Sequence, residues 1–391
     1  MQLRLDTQIL YQGTEPCSNI RNPEVPPIYP STAYILDDME DYDFANKGGR
    51  YYYNRTANPN RDGLGTAISY LEHGESTLIC SSGMAAISTA LLGLLHQGDH
   101  ILMNKAVYGE TIELANHILT KFGIQVTFAD FTDLEEVKRE ILPNTKLLYT
   151  EIISNPLTLV VDLDEISKIA TEKGILTVVD STFTTPILFR PLEHGADIVI
   201  HSLTKYFGGH SDITGGSVTA SEKLIRQIRP QYLLLGCCMD PGTAWLTLRS
   251  IKTMAMRVRK QNENASALAK ALSADPHVSA VYHPSLKSHP QHTLASRIFD
   301  GGYGAMMSFQ VEDSHEKVNS FMHRLKIVKY LGTLGGIRTT YTHPLTAFRN
   351  DFTEQELEKM GMSEGLIRIS TGAEDIRDLV TDFTQALKAF D

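Results

Sequence analysis

Five reactive or polar residues stand where short apolar runs end. Residues 197–200 lead into HSLTKYFGGHSD (201–212), which carries Lys205 between hydroxyl residues and two glycines. Such a lysine either reaches water, as most lysines do, or uses a desolvated amine to form an imine. Residues 175–179 end at Asp180, a carboxylate that needs a partner if buried, or else caps a helix. Residues 77–80 run into SSGMAA (81–86), small residues that open a helix. Free N–H groups at such a start are an anion site, and a plain tight turn is the simpler alternative. Residues 100–103 precede AVYGET (106–111), which puts Tyr108 on a turn as a stacking ring or a loop anchor. The run at 146–153 gives way to Ser154, Asn155 and Pro156, an amide on a turn or turn chemistry alone. No metal-ligand spacing and no Ser/His/Asp order explains an anion cradle, a ring, an amide, a carboxylate and a lysine together. Pyridoxal 5′-phosphate (PLP) does: lysine for its aldehyde, carboxylate for its ring nitrogen, helix start and hydroxyls for its phosphate.

The elements that must position these residues follow from the same runs. Apolar stretches at 77–80, 100–103, 125–128, 146–149, 175–179 and 197–200 alternate with helical patterns at 84–95, 111–122, 134–141 and 163–173. Strands that read as near-continuous apolar runs, spaced by helices, predict an α/β fold with a mostly parallel central sheet covered on both faces. Ligands in such sheets gather at the carboxyl ends of the strands. Residues 1–52, with the proline-rich VPPIYPST, read as an N-terminal arm that packs on a neighbouring subunit. Residues 53–240 form the expected cofactor-binding domain. From 241 to 391 the pattern changes to one long helix at 242–272, strands near 278–282 and 304–311, and a closing helix at 376–390. This is the expectation for a smaller C-terminal α+β domain.

Composition narrows the function classes. Of 391 residues, 42% are apolar and 21% charged, as in a globular protein. The net charge of −10 and the lack of a basic cluster argue against nucleic acid. No apolar run of about 18 residues predicts a membrane span. Four cysteines (Cys17, Cys80, Cys237, Cys238), none in a CxxC pair, fit a reducing compartment, and the expected location is cytoplasmic.

Seven stretches, in order, then carry a resemblance: YNRTANPNRD (53–62), SSGMAAI (81–87), YGET (108–111), SNP (154–156), VVDSTFTTP (178–186), HSLTKYFGGHSD (201–212) and GLIRISTGAED (365–375). The chain resembles the Cys/Met-metabolism, or trans-sulfuration, family of PLP enzymes nearly end to end. That group includes cystathionine γ-synthase, cystathionine γ- and β-lyases and methionine γ-lyase. The resemblance implies fold type I, the aspartate-aminotransferase-like architecture, and elimination or replacement at the β- or γ-carbon of a sulfur amino acid or homoserine ester. It makes Lys205 the Schiff-base lysine and later proton shuttle, Asp180 the pyridinium partner and Tyr108 the ring that stacks and helps with protons. Gly83, Met84, Ser202 and Thr204 would hold the phosphate, joined by Tyr53 and Arg55 from the neighbouring subunit. Arg368 would clamp the substrate α-carboxylate, with Asn155 near cofactor and substrate. A homotetramer built from two catalytic dimers is implied.

The far side of the expected pocket departs from the family pattern. Thr333 keeps a hydroxyl in TLGGIRT (333–339), but Arg338 stands where many relatives carry glutamate. Glu113 replaces a usual arginine, Glu110 a small residue or cysteine, and Tyr52 a glutamate of the cystathionine γ-lyases; Phe348 and Arg349 replace a threonine–histidine pair. Either Glu113 and Arg338 form a compensating ion pair, or the specificity for the substrate's distal group is altered. The lack of cysteine at 110 speaks against methionine γ-lyase, and residues 52 and 113 against a strict cystathionine γ-lyase. Two other functions remain open at this point: a catalytically silent binding or regulatory module of the same fold, and an aminotransferase.

Overall fold

A computed structural model describes residues 3–12, 23–349 and 353–391; Cys17 and part of the expected arm lie outside them. The centre is a seven-stranded sheet of β1 (Ser76–Cys80), β2 (His100–Asn104), β3 (Gln125–Ala129), β4 (Thr145–Glu151), β5 (Leu176–Asp180), β6 (Ile198–Ser202) and β7 (Gly216–Ala220), in spatial order 1-7-6-5-4-2-3. Only β7 runs against its neighbours; the pairings of β2 with β3 and β4, of β4 with β5 and of β5 with β6 are parallel. The expected parallel core is therefore present, with one antiparallel strand inserted between β1 and β6.

Successive residues of a strand face opposite sides, so each apolar run feeds two cores. Val178, Ile198 and Ile200 join the cluster around the helix Gly83–Leu94, whereas Val179 packs on the other face with Ile152 and Leu188. Fully burying each such side chain contributes about 1.5–3 kcal/mol. Double-sided burial is what turns these strands into unbroken apolar stretches.

The second unit has its own five-stranded sheet: β8 (Ala280–Tyr282), β9 (Met306–Gln310), β10 (Lys329–Tyr330), β11 (Thr340–Thr342) and β12 (Leu366–Ser370). The helix Ile376–Leu387 covers it through Leu379, Phe383 and Leu387. The expected single helix at 242–272 is two helices, Pro241–Ile251 and Met254–Leu272. Neither proline nor glycine breaks it. At the break the Ser250 carbonyl accepts from Thr253 N at 3.2 Å, and Arg257, buried, donates to it at 3.1 Å and to the Thr253 hydroxyl at 3.3 Å. The second helix starts in the core beneath the large sheet, through Met254 and Val258, and ends in that of the small sheet, through Leu268 and Leu272. Packing is thus continuous across residue 241.

Within the arm, Ile9 of the helix Leu5–Tyr11 is buried against Leu64 and Ile68 of the same chain. Ile35, Met39 and Phe44 are exposed. Among the described residues no helix is long and apolar enough to cross a membrane, and no group of three or more His, Cys, Asp or Glu could hold a metal ion.

Candidate active site

The carboxyl ends of β1, β4, β5 and β6 open on a cavity of about 240 Å³, closed from the small-domain side by Gly332, Leu334 and Arg368. Gly83, Met84, Tyr108, Asn155, Asp180, Ser202, Thr204 and Lys205 all line it. Sequence positions from 83 to 368 therefore converge on one volume.

Its floor is an anion cradle. Ser82 caps the helix Gly83–Leu94, its hydroxyl accepting from Ala85 N at 3.0 Å, and the first N–H groups of the helix are left for a ligand. A Cβ on Gly83 would come within 2.9 Å of Ser202 Cβ, so only glycine lets the helix start approach the serine. Thr182 spans to the same place, its hydroxyl accepting from Ser202 N at 2.8 Å.

Lys205 sits in a turn closed by Gly208 N to Leu203 O (2.8 Å) and Gly209 N to Lys205 O (2.7 Å). Arg257 holds this turn from behind, donating to the Tyr206 carbonyl at 2.9 Å. Gly209 has φ +70°, and a Cβ there would overlap the Arg257 guanidinium, which explains the second glycine of the motif. Burial, and then the Arg368 charge, push the Lys205 amine below the ordinary lysine range, against the opposing carboxylates of Glu110 and Asp180. A lowered amine pKa is what nucleophilic and proton-shuttling lysines require.

Asp180 is buried and accepts from Thr182 N at 2.9 Å. It does not cap a helix. Its neighbour across the β4–β5 register is Glu151, a cavity-lining residue that the sequence analysis missed. Burial, and then Asp180, hold Glu151 well above the carboxylate range. Burial also raises Asp180, but Thr182, His201 and Lys205 oppose it. Both carboxyls are therefore raised by burial, Glu151 the more strongly, and the groups that favour the anion are gathered at Asp180. Glu151 also accepts from Tyr108 N at 2.7 Å and so fixes the loop bearing the ring. The apolar run was read as stopping at Tyr149; a carboxylate only two residues further on was the available signal. Burial, then Glu110, raise the Tyr108 hydroxyl, which stays a phenol.

Arg368, on β12, is buried and brought to Asn155: Nη1 donates to Asn155 Oδ1 at 3.2 Å. Nη2 donates to the Thr342 hydroxyl at 3.1 Å and reaches the Thr333 carbonyl at 3.5 Å, so Thr333 contacts it through backbone. Burial lowers Arg368 to about 10. Its Nε is buried without a hydrogen-bond partner in the chain. An unsatisfied buried guanidinium donor beside a cavity matches a carboxylate ligand.

Five expected site residues lie off this cavity: Thr333, although its neighbours Gly332 and Leu334 line it, and Tyr53, Arg55, Glu113 and Arg338. Tyr53 is exposed, with the Arg55 guanidinium 5.5 Å from its ring centroid, and Arg55 donates to Leu233 O at 2.9 Å. Glu113 pairs with His117 at 3.1 Å rather than with Arg338, which is exposed. Glu110, by contrast, hydrogen-bonds Tyr108.

The donor set fits PLP: an anion cradle, a buried carboxylate with fixed donors, an aromatic ring and an amine of lowered pKa meet in one cavity. A family model described as Cys/Met metabolism PLP-dependent enzyme matches residues 6–388. The chain belongs to that family. It is 37% identical over 389 residues to an L-methionine gamma-lyase of Fusobacterium nucleatum, covering 98% of both chains. It is 39% identical to a cystathionine beta-lyase of Bacillus subtilis, covering 93% of this chain and 91% of that one. Its structure superposes with TM-score 0.94 on cystathionine gamma synthase of Xanthomonas oryzae pv. oryzae, at 35% identity and covering 100% of this chain and 99% of that one. This family member is thus a fold type I, PLP-dependent enzyme of sulfur amino-acid metabolism, as the motifs implied.

Proposed function

We propose that this enzyme eliminates or replaces the γ-substituent of a sulfur amino acid or homoserine ester, with L-cystathionine as the substrate to try first. β-Elimination from cystathionine and γ-elimination from methionine are the alternatives within the same chemistry. The observation that carries the reading is that Arg368, buried with one guanidinium N–H unpaired in the chain, lines the same cavity as Lys205: one end of an amino acid can be clamped beside a base. PLP bound here supplies an electron sink for charge developing at the substrate Cα. Gly83, Met84, Ser202 and Thr204 would hold its phosphate, and Asp180 would keep its ring nitrogen protonated.

Arg368 and Asn155 orient the substrate through its α-carboxylate. The Lys205 amine, lowered by burial, then takes the Cα proton and, for γ-chemistry, serves Cβ in turn. The Tyr108 phenol is a proton donor to the departing group. Tyr53 and Arg55 lie off the cavity within one chain and fit the role of completing the site of a neighbouring subunit in a tetramer. A cytoplasmic location and a small amino-acid substrate accord with this assignment.

The experiment uses purified protein, saturating PLP and L-cystathionine, with the keto acid identified by mass. 2-Oxobutyrate is the expected product. Pyruvate would mean β-elimination, with cystathionine bound end for end. No keto acid from cystathionine or methionine, together with no thioether amino acid from homoserine esters supplied with a thiol, would overturn the proposal.

A further inference from the structure

β1 ends at Cys80, and the segment 237–239 runs antiparallel beside it. Ser81 N donates to Cys237 O at 2.7 Å, and Met239 N to Ile79 O at 3.3 Å. These two bonds flank the pair Cys80–Cys238 without joining it. That is the non-hydrogen-bonded kind of antiparallel pair, with Cα atoms about 4.5 Å apart and both side chains on one face. Disulfides close over Cα separations of roughly 4.4–6.8 Å. Both thiols are free and both border one apolar cluster, Cys80 fully buried and Cys238 half-buried. Cys237, next in the chain, also packs against this cluster, but Cys238 and not Cys237 is the residue paired with Cys80.

We infer that Cys80 and Cys238 are a reversible thiol–disulfide site, closed by hydroperoxides, directly behind the Ser82–Gly83 cradle. Burial pushes the Cys80 thiol well up, so the half-buried Cys238 reacts first. Its thiolate attacks a peroxide oxygen, the O–O bond breaks, and a sulfenic acid and water result. The Cys80 sulfur then attacks the Cys238 sulfur, the S–O bond breaks, and hydroxide leaves with the Cys80 proton as a second water. Two thiols are oxidised and one peroxide is reduced. The disulfide keeps Cys238 from irreversible over-oxidation, and a thiol reductant restores both groups.

The test treats the holoenzyme with hydrogen peroxide, alkylates it, digests it without reductant and reads the peptides by mass spectrometry. The expected result is a peptide containing Cys80 linked to the peptide containing Cys237 and Cys238, lost on adding dithiothreitol. Cys237→Ser should retain the link and Cys238→Ser abolish it. None of the three cysteines lines the cavity, so both variants should keep basal activity. A link that survives Cys238→Ser and vanishes in Cys237→Ser overturns the assignment. So does sulfinic acid at Cys238 with Cys80 still open to alkylation after unfolding.

Discussion

The cofactor side of the cavity and its outer rim are built from similar residue types under opposite conditions. On the inner side Asp180 and Arg368 are each 8% exposed and Glu151 7%, and each accepts or donates a named hydrogen bond. Outside the cavity lining, Glu113 and Arg338 carry opposite charges toward solvent, and Glu113 pairs with His117. Buried charge is costly unless a partner is fixed, so the inner residues lock one another in place. Exposed charge interacts weakly and can change sign while the fold stays intact. Charge is fixed by named partners where it is buried and left to solvent where it is wet.

The sharpest way to break this contrast is at its centre. Lys205→Ala should lower the turnover number by about 10³-fold or more at saturating PLP, because it removes the amine that serves both protons. Keto-acid release measures it. A variant that keeps a tenth of the activity would mean the chemistry does not run through this cavity wall.

Arg368→Ala comes next. Removing one member of a buried charged network costs roughly 2–5 kcal/mol. The expected split is a rise in KM of about 10²-fold with a smaller change in kcat, for every substrate alike. Arg368→Lys should recover little, since the ammonium cannot present the fork that Asn155 and Thr342 orient. A loss confined to kcat would instead assign Arg368 to the reaction step.

How far the site could be read from the sequence follows the same division. Five strands were legible to within two residues at their carboxyl ends, the runs being read to 80, 103, 149, 179 and 200, because double-sided burial writes parallel strands as apolar runs. β7 escaped because GSVTA offers small and hydroxyl residues in a fully buried strand, where neighbours and not side-chain pattern decide the conformation. The break between Ile251 and Met254 falls at Lys252 and Thr253, residues that interrupt no apolar periodicity, so the pattern read as one helix. Glu151 was hidden by its place in a run already counted as finished. Tyr53 and Arg55 were named only through the resemblance, and nothing in one chain brings them to the cavity.

Support for the buried side can be probed through pH. His283 is buried, bonded to Ser285 Oγ at 2.7 Å and to Gly304 O at 3.1 Å, and burial lowers its pKa from 6.5 to about 4. Above pH 6.5 the imidazole is neutral in both folded and unfolded chains, and its contribution to stability is complete. As pH falls from 6.5 toward 4 the unfolded chain takes up the proton first, so stability is lost across that window, about 3 kcal/mol in all. Denaturant unfolding at pH 7 and pH 4.5 should show this loss, and His283→Gln should flatten the slope by about one proton. An unchanged slope would move the acid sensitivity to another group.

The smallest effect belongs to the rim and sharpens the contrast most. Arg338→Glu restores the acid that many relatives carry, without touching the cavity wall. An exposed charge is worth about 1 kcal/mol or less. The ratio of kcat/KM for cystathionine, whose distal end carries a carboxylate, to that for methionine, whose distal end is neutral, should fall by about five-fold. Absorbance of the bound cofactor should stay as in the parent. Glu113→Ala should shift the ratio less, because Glu113 is engaged by His117 at 3.1 Å and not by a residue of the cavity. Equal relative rates across the panel would make Arg338 a plain surface residue. A shift beyond about 10²-fold would require that this charge be desolvated when substrate is bound, and the rim would then belong with the buried side.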